Sequence, residues 1–291
     1  MPPGVPTREF ERMSAEASIL VGFDGSQDAE RALAWATAHA EAVHGQLRVC
    51  IARGDLYQLS RWADQWTAGL AQEWAEQARR LLEACRAEFE VEIADGNAAP
   101  VLIDRTTHES LVVVGSRGRG VFDGIAVGSV AQHVTRYASG PVVVVRQTAT
   151  PSSRRVVVGA DDLPEGLGAV DWAADFASAR GMDLCVLHCP DPPVPVSGPG
   201  AADLLEHFPL LREREKRIRE RVDLVRTRHP SLTVEIEVST DDPRGALRRA
   251  SKGAALVVVG ARGHGAFMGM LLGSVGASLV AHAGCPVAVI R

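Results

Sequence analysis

The chain lacks any run of apolar residues long enough to span a bilayer, and its start has no apolar signal core. A soluble cytoplasmic protein without a membrane partner is therefore expected. It also lacks a basic surplus: 31 Lys and Arg stand against 36 Asp and Glu, a net charge of −5. That balance argues against nucleic acid as the main partner, because phosphate-backbone binding calls for excess positive charge. The one basic cluster, Arg212 to Arg221, is interrupted by Glu213, Glu215 and Glu220 and reads as a solvated helix face. The five cysteines form no C-x-x-C pair and no metal spacing with histidine, so reduced thiols are expected. Neither a P-loop, which ends in Gly-Lys-Ser/Thr, nor the G-x-G-x-x-G dinucleotide fingerprint after the first strand is present. No nucleophile, base and orienting group suggest themselves as a catalytic set.

What is present is a glycine pattern that occurs twice. Gly115-Ser-Arg-Gly118 is followed after nine residues by Gly128-Ser129, and Gly260-Ala-Arg-Gly263 after nine by Gly273-Ser274. Each copy follows the same apolar tetrad, Leu111–Val114 or Leu256–Val259. Glycines at a strand end let the backbone turn with positive φ and approach a ligand without a Cβ in the way. The Gly-Ser pair sits where a helix should begin, which adds free N–H groups and a favourable dipole for an anion. The simpler reading is a tight turn and a cap, since Ser129 and Gln132 have capping-box spacing. The second copy keeps Ser274 but has Ala277, so capping does not explain the repeated spacing. A polyphosphate ligand is the better expectation.

The repeat extends beyond the motif. Asp24 and Trp35 precede Asp161 and Trp172 by 137 positions, and Gly115 and Pro141 precede Gly260 and Pro286 by 145. The eight extra residues of the second half are expected in an irregular loop at Pro190 to Gly200. Residues 1–17 read as a mobile tail, 18–150 as one domain and 151–291 as another. In the first, strands at Ile19–Val21, Leu47–Ile51, Val91–Ile93, Leu111–Val114 and Val142–Val145 alternate with helices. One helix should bury Ala29, Ala32, Leu33, Ala36, Ala40 and Val43, and the next Leu70, Trp74, Leu81, Leu82 and Cys85. The second half repeats this with strands at Val156–Val158, Leu184–Leu187, Thr233–Val238, Leu256–Val259 and Val287–Ile290. The expected fold is α/β: two tandem open doubly wound parallel five-stranded sheets. Ligands in such sheets sit beyond the carboxyl ends of the strands where strand order reverses, which would bring Asp24 and Gly115 together.

Several side chains around this point carry two readings. Asp24 could accept from a ribose hydroxyl or cap a helix. Its counterpart begins Asp161-Asp162-Leu163, where the Gly25-Ser26 pair is lost, and Asp162 adds a carboxylate that would repel a polyanion. Arg117 recurs as Arg262 and could reach a phosphate or be solvated. Arg119 becomes His264 and Asp123 becomes Met268, so neither serves both halves. His188 reads as a packed residue.

These residues resemble the universal stress protein family in its tandem-domain, ATP-binding form, whose G-2x-G-9x-G-(S/T) signature is matched twice. The resemblance covers residues 18–146 and 154–291. It implies a Rossmann-like, adenine-nucleotide α-hydrolase-like fold that binds ATP with Mg2+ or Mn2+. Carried over, Asp24 and Asp161 contact the nucleoside, and Ala52 and Cys189 hold adenine through backbone groups. Gly115, Gly118, Gly128, Ser129 and Val130, with Gly260, Gly263, Gly273, Ser274 and Val275, contact ribose and phosphates. Arg117 and Arg262 join them as ATP-binding candidates. The function implied is a nucleotide-dependent stress-response regulator acting on an unidentified protein partner, with a homodimer as a further possibility. A slow ATPase or phosphotransferase, using Arg117 or His264, and a nucleotide-free scaffold remain the alternatives.

Overall fold

The computed structural model describes residues 18–54, 61–119, 126–147, 153–190, 201–263 and 271–291, without side chains for 61–65 and 201–211. The expected tail at 1–17, Asp123, His264, Met268 and the stretch 191–200 lie outside the described residues. The chain divides into two compact units that part between Arg146 and Gln147.

The first unit runs β1 (Ser18–Gly22), α1 (Gln27–Val43), β2 (Gln46–Arg53), α2 (Arg61–Leu81), β3 (Phe89–Asp95), α3 (Ala98–Asp104), β4 (Leu111–Gly115), α4 (Ser129–Tyr137) and β5 (Val142–Val145). Its strands lie in the order β3-β2-β1-β4-β5, each neighbouring pair parallel. The chain moves outward from β1 through β2 to β3, then returns to β4 on the far side of β1. Strand order therefore reverses between β1 and β4, which are buried along Ile19–Val21 and Leu111–Val114 as strands covered on both faces must be.

The second unit runs β6 (Arg155–Ala160), α5 (Pro164–Ala179), β7 (Asp183–His188), α6 (Ala201–Arg228), β8 (Val234–Val238), α7 (Pro243–Ala250), β9 (Leu256–Gly260), α8 (Ser274–His282) and β10 (Val287–Ile290). Its order, β8-β7-β6-β9-β10, is again parallel throughout and reverses between β6 and β9. The α/β class and every expected strand hold.

Alanine sets how closely the helices approach the sheet. Ala29, Ala32, Leu33, Ala36 and Ala40 of α1 are buried, and Ala169, Val170, Ala173, Ala174 and Ala177 do the same for α5. The α2 face differs from expectation. Ala71, Ala75 and Ala78 form the buried stripe, which Leu82 continues just past the helix end as expected, while Leu81 is half exposed. The larger apolar residues suggested a stripe turned partly away from the sheet, but the alanines permit the closer contact. The extra length of the second unit is not confined to a loop either: α6 has 28 residues where α2 has 21. Ion pairs along α6, Arg219 with Glu215, Lys216 with Glu220 and Arg217 with Glu213, suit the longer helix. Its face is mostly solvated as expected, yet Arg221 and Arg228 also grip Asp171 of α5.

Candidate functional site: two glycine-loop cavities

At the reversal point of the first unit the ends of β1, β2 and β4 and the start of α4 enclose a cavity of about 230 Å³. Asp24, Ala52, Gly115, Arg117, Gly118, Gly128, Ser129 and Val130 all line it. The equivalent cavity of the second unit is about 340 Å³ and is lined by Asp161, Cys189, Gly260, Arg262, Gly263, Gly273, Ser274 and Val275. Every residue singled out from the motif is thus brought to one of two cavities.

The glycines act differently from expectation. Among the described glycines positive φ occurs at Gly25, Gly96 and Gly181, and at no motif glycine. What the motif glycines supply is room. A Cβ on Gly115 would lie 2.7 Å from the carbonyl carbon of Asp28, and one on Gly260 would lie 2.9 Å from that of Glu165. These two glycines let the first turn of α1 or α5 pack against the end of the adjacent strand. A Cβ on Gly118 would sit 2.5 Å from Asp24 Oδ2, and one on Gly263 would sit 2.8 Å from Asp161 Oδ2. Here the missing side chain makes space for the aspartate.

Asp24 is a tether and not a helix cap. Its Oδ1 accepts from the Ser26 N–H at 3.0 Å and its Oδ2 from the Arg119 N–H at 3.1 Å, joining the end of β1 to the glycine loop. Ser26 caps α1, accepting from the Ala29 N–H at 3.2 Å. Sequence reasoning missed Asp28, a 7% exposed carboxylate that clamps the same loop. Its Oδ2 accepts from Ser116 Oγ at 2.7 Å and from the Arg117 N–H at 3.1 Å, and Arg31 pairs with its Oδ1. Arg117 Nε lies 3.6 Å from Oδ2, a loose ion pair on a side chain that is half exposed. The signal available was the acidic pair Asp28 and Glu165, 137 positions apart. Arg262 Nε correspondingly lies 3.6 Å from Glu165 Oε1.

At the other wall the capping box that the spacing of Ser129 and Gln132 permits does not form. Gly128 is the N-cap of α4 and Ser129 is already in the helix, while Gln132 Nε2 donates to the Val127 carbonyl. Gly273 caps α8 in the same way. Neither cap supplies a side-chain acceptor, and among the described residues the first-turn N–H groups of both helices have none. The loops are anchored alike: Gly128 N–H donates to the Ser116 carbonyl and Gly273 N–H to the Ala261 carbonyl, both at 2.8 Å.

The units differ in their surroundings. Asp161 keeps the turn, accepting from the Leu163 N–H at 3.1 Å, but Leu163 caps α5 without a side-chain bond. Asp162 does not confront the cavity as a lone anion. It lies 3.7 Å from Arg214 and 3.5 Å from Arg217 of α6, which neutralise it. Cys189 enters the second cavity as a neutral thiol: burial, then Asp241 and Asp242, push its pKa up to about 11. Cys50, lining the first, is pushed up to about 12, chiefly by burial and then by Glu92. His188 is packed, with Nδ1 2.9 Å from the Ala160 carbonyl oxygen. Arg119, which also lines the first cavity, stacks 5.3 Å over the Trp74 ring. No helix among the described residues is long and apolar enough to cross a membrane.

The sequence model of the universal stress protein family matches residues 17–146 and 152–291. The chain is 33% identical over 308 residues to a universal stress protein of Mycobacterium tuberculosis, covering 96% of this chain and 97% of that protein. It is 32% identical over 302 residues to one of Mycolicibacterium smegmatis, covering 96% and 98%. In structure it is similar to a universal stress protein from Archaeoglobus fulgidus, with a TM-score of 0.67 at 21% identity over 94% of this chain and 96% of that one. That last likeness concerns the fold.

Proposed function

The chain belongs to the universal stress protein family, and from that premise we propose that each unit binds ATP and that occupancy, not turnover, is the signal. The observation that carries the reading is the pair of glycine caps, Gly128 and Gly273, which leave helix N-termini without a side-chain acceptor at the wall of a cavity. Serine, aspartate or asparagine would serve a structural cap better than glycine. A bare N-terminus suits an anion that completes the cap itself.

In this reading the phosphates lie against the first-turn N–H groups of α4 or α8, with Arg117 or Arg262 nearby. Asp24 and Asp161 accept from ribose hydroxyls through lone pairs that the loop N–H groups leave over. The adenine end reaches toward Ala52 and Cys189. Among the described residues no three His, Cys, Asp or Glu side chains gather as a metal site. Mg2+ or Mn2+ would accordingly enter on the phosphates, as Mg2+ ordinarily does. Such a cradle binds without a catalytic side chain. Binding then biases the protein toward the conformation with the higher nucleotide affinity, changing what a protein partner meets. The test is to purify the protein, denature it and identify the released small molecules by mass spectrometry, then repeat after soaking in ATP. Release of ATP or ADP is expected; a protein that carries no nucleotide and retains none after soaking contradicts the proposal.

A further inference from the structure

We propose that Arg244, braced by Asp242, reads the base of the nucleotide in the second cavity, a side-chain recognition with no counterpart from α3 among the residues that line the first. The inference rests on the nucleotide reading above and assigns base selection to one unit. It starts from matching helices. Asn97 is the N-cap of α3 and Asp242 that of α7, 145 positions apart, the offset of the glycine motifs. In the first unit α3 presents Ala98 and Leu102 to the cavity. In the second, α7 presents their counterparts Pro243 and Leu247 and adds Asp242 and Arg244. An apolar wall has become a charged one, and the cavity is larger, about 340 against about 230 Å³.

Sheet order says which end of a ligand meets that wall. The glycine loop follows β9 and α7 follows β8, and the order β9-β6-β7-β8 separates those strands by three spacings, roughly 14 Å at about 4.8 Å each. A nucleotide whose phosphates lie against the loop after β9 and the start of α8 extends across the ends of β6 and β7. Its base is the part that reaches α7.

The two side chains are arranged for recognition more than for stability. Arg244 Nε donates to both Asp242 oxygens at 3.3 Å, and Asp242 Oδ2 also accepts from the Gly245 N–H at 3.2 Å. That holds the guanidinium by one edge, while its terminal nitrogens have no protein acceptor among the described residues. Both side chains are 55% exposed, where an ion pair adds little to folding. A guanidinium so held can stack on a base or donate to its ring nitrogens, while the carboxylate beside it accepts from an exocyclic amine. The neighbouring Asp241 is already paired with Arg249.

The experiment uses full-length protein carrying Gly128→Asp, which confines binding to the second site, verified by stoichiometry. Into that background Arg244→Ala and Arg244→Lys are introduced, and ATP, GTP and inorganic triphosphate are titrated by calorimetry. Arg244→Ala is expected to weaken ATP about tenfold or more, shrink the preference between ATP and GTP, and leave triphosphate affinity unchanged. Arg244→Lys should restore little, because a lysine cannot stack or fork as arginine does. Equal losses for ATP and triphosphate would make Arg244 a phosphate ligand and overturn the inference, as would unchanged ATP affinity. If the Gly128→Asp parent itself binds no ATP, the nucleotide reading of the second unit fails and this inference fails with it.

Discussion

Asp24 and Gly118 show how one missing Cβ can organise a site. The carboxylate occupies the space a side chain at 118 would need, and from there it holds the Ser26 and Arg119 N–H groups. Gly118→Ala should therefore act by displacing Asp24 and not by blocking a ligand. We expect it to weaken ATP at the first site by about tenfold, roughly 1.4 kcal/mol. In an Asp24→Ala background the same change should cost almost nothing further, a coupling that a double-mutant cycle measures directly. Additive losses would mean that the alanine methyl meets the ligand itself. The buried thiols make a separate statement about pH. Cys50 is pushed up to about 12 and Cys185 and Cys189 to about 11, mainly by burial, from an ordinary 9.0. Between these values the unfolded chain ionises its thiols while the folded one does not, so stability present below pH 9 falls as pH rises toward 11–12. Urea midpoints measured from pH 8 to 10.5 should decline, and Cys50→Ala should decline less steeply. Equal slopes for the two proteins would count against burial of this thiol.

At the level of elements, the informative feature is a helix start that forgoes a good cap. Gly128 has φ −71° and ψ 157°, and Gly273 has φ −68° and ψ 163°, conformations open to any residue. A Cβ on Gly273 would come no closer than 3.5 Å to a neighbour. Gly273→Asp should then keep or slightly raise thermal stability, by a few tenths of a kcal/mol, while its carboxylate takes the N–H groups that the proposal assigns to phosphate. Gly128→Asp should do the same in the first unit. A fall in melting temperature of many degrees in either variant would show the glycine to be structural. These helix starts also mark where sequence reasoning stopped. The strands were legible because buried parallel strands read as unbroken runs such as Leu111–Val114. The helix start at Ser129 was legible too, but the simpler capping reading of Ser129 and Gln132 fails, because Gln132 turns to the Val127 carbonyl. The buried stripe of α2 was misread because small alanines, not the large apolar residues beside them, decide how close a helix can pack.

Across the molecule, duplication made the candidate site legible and divergence hid its details. All sixteen binding candidates line the two cavities because the motif spacing and the strand ends are properties of the chain alone. Contacts such as Ser116 with Asp28 or Asp162 with Arg214 join residues 88 and 52 positions apart, and no local pattern announces them. The units now differ where selection would act. The first has an apolar wall at α3 and a tightly clamped loop; the second has a charged wall at α7 and Ala261 where Ser116 bonds to Asp28. Two ATP sites per chain is the central claim, and calorimetric stoichiometry tests it most directly. Wild-type protein should bind two ATP, Gly128→Asp and Gly273→Asp one each, and the double variant none, all four remaining folded. Wild-type protein that binds fewer than two ATP, or a double variant that still binds two, would contradict the account.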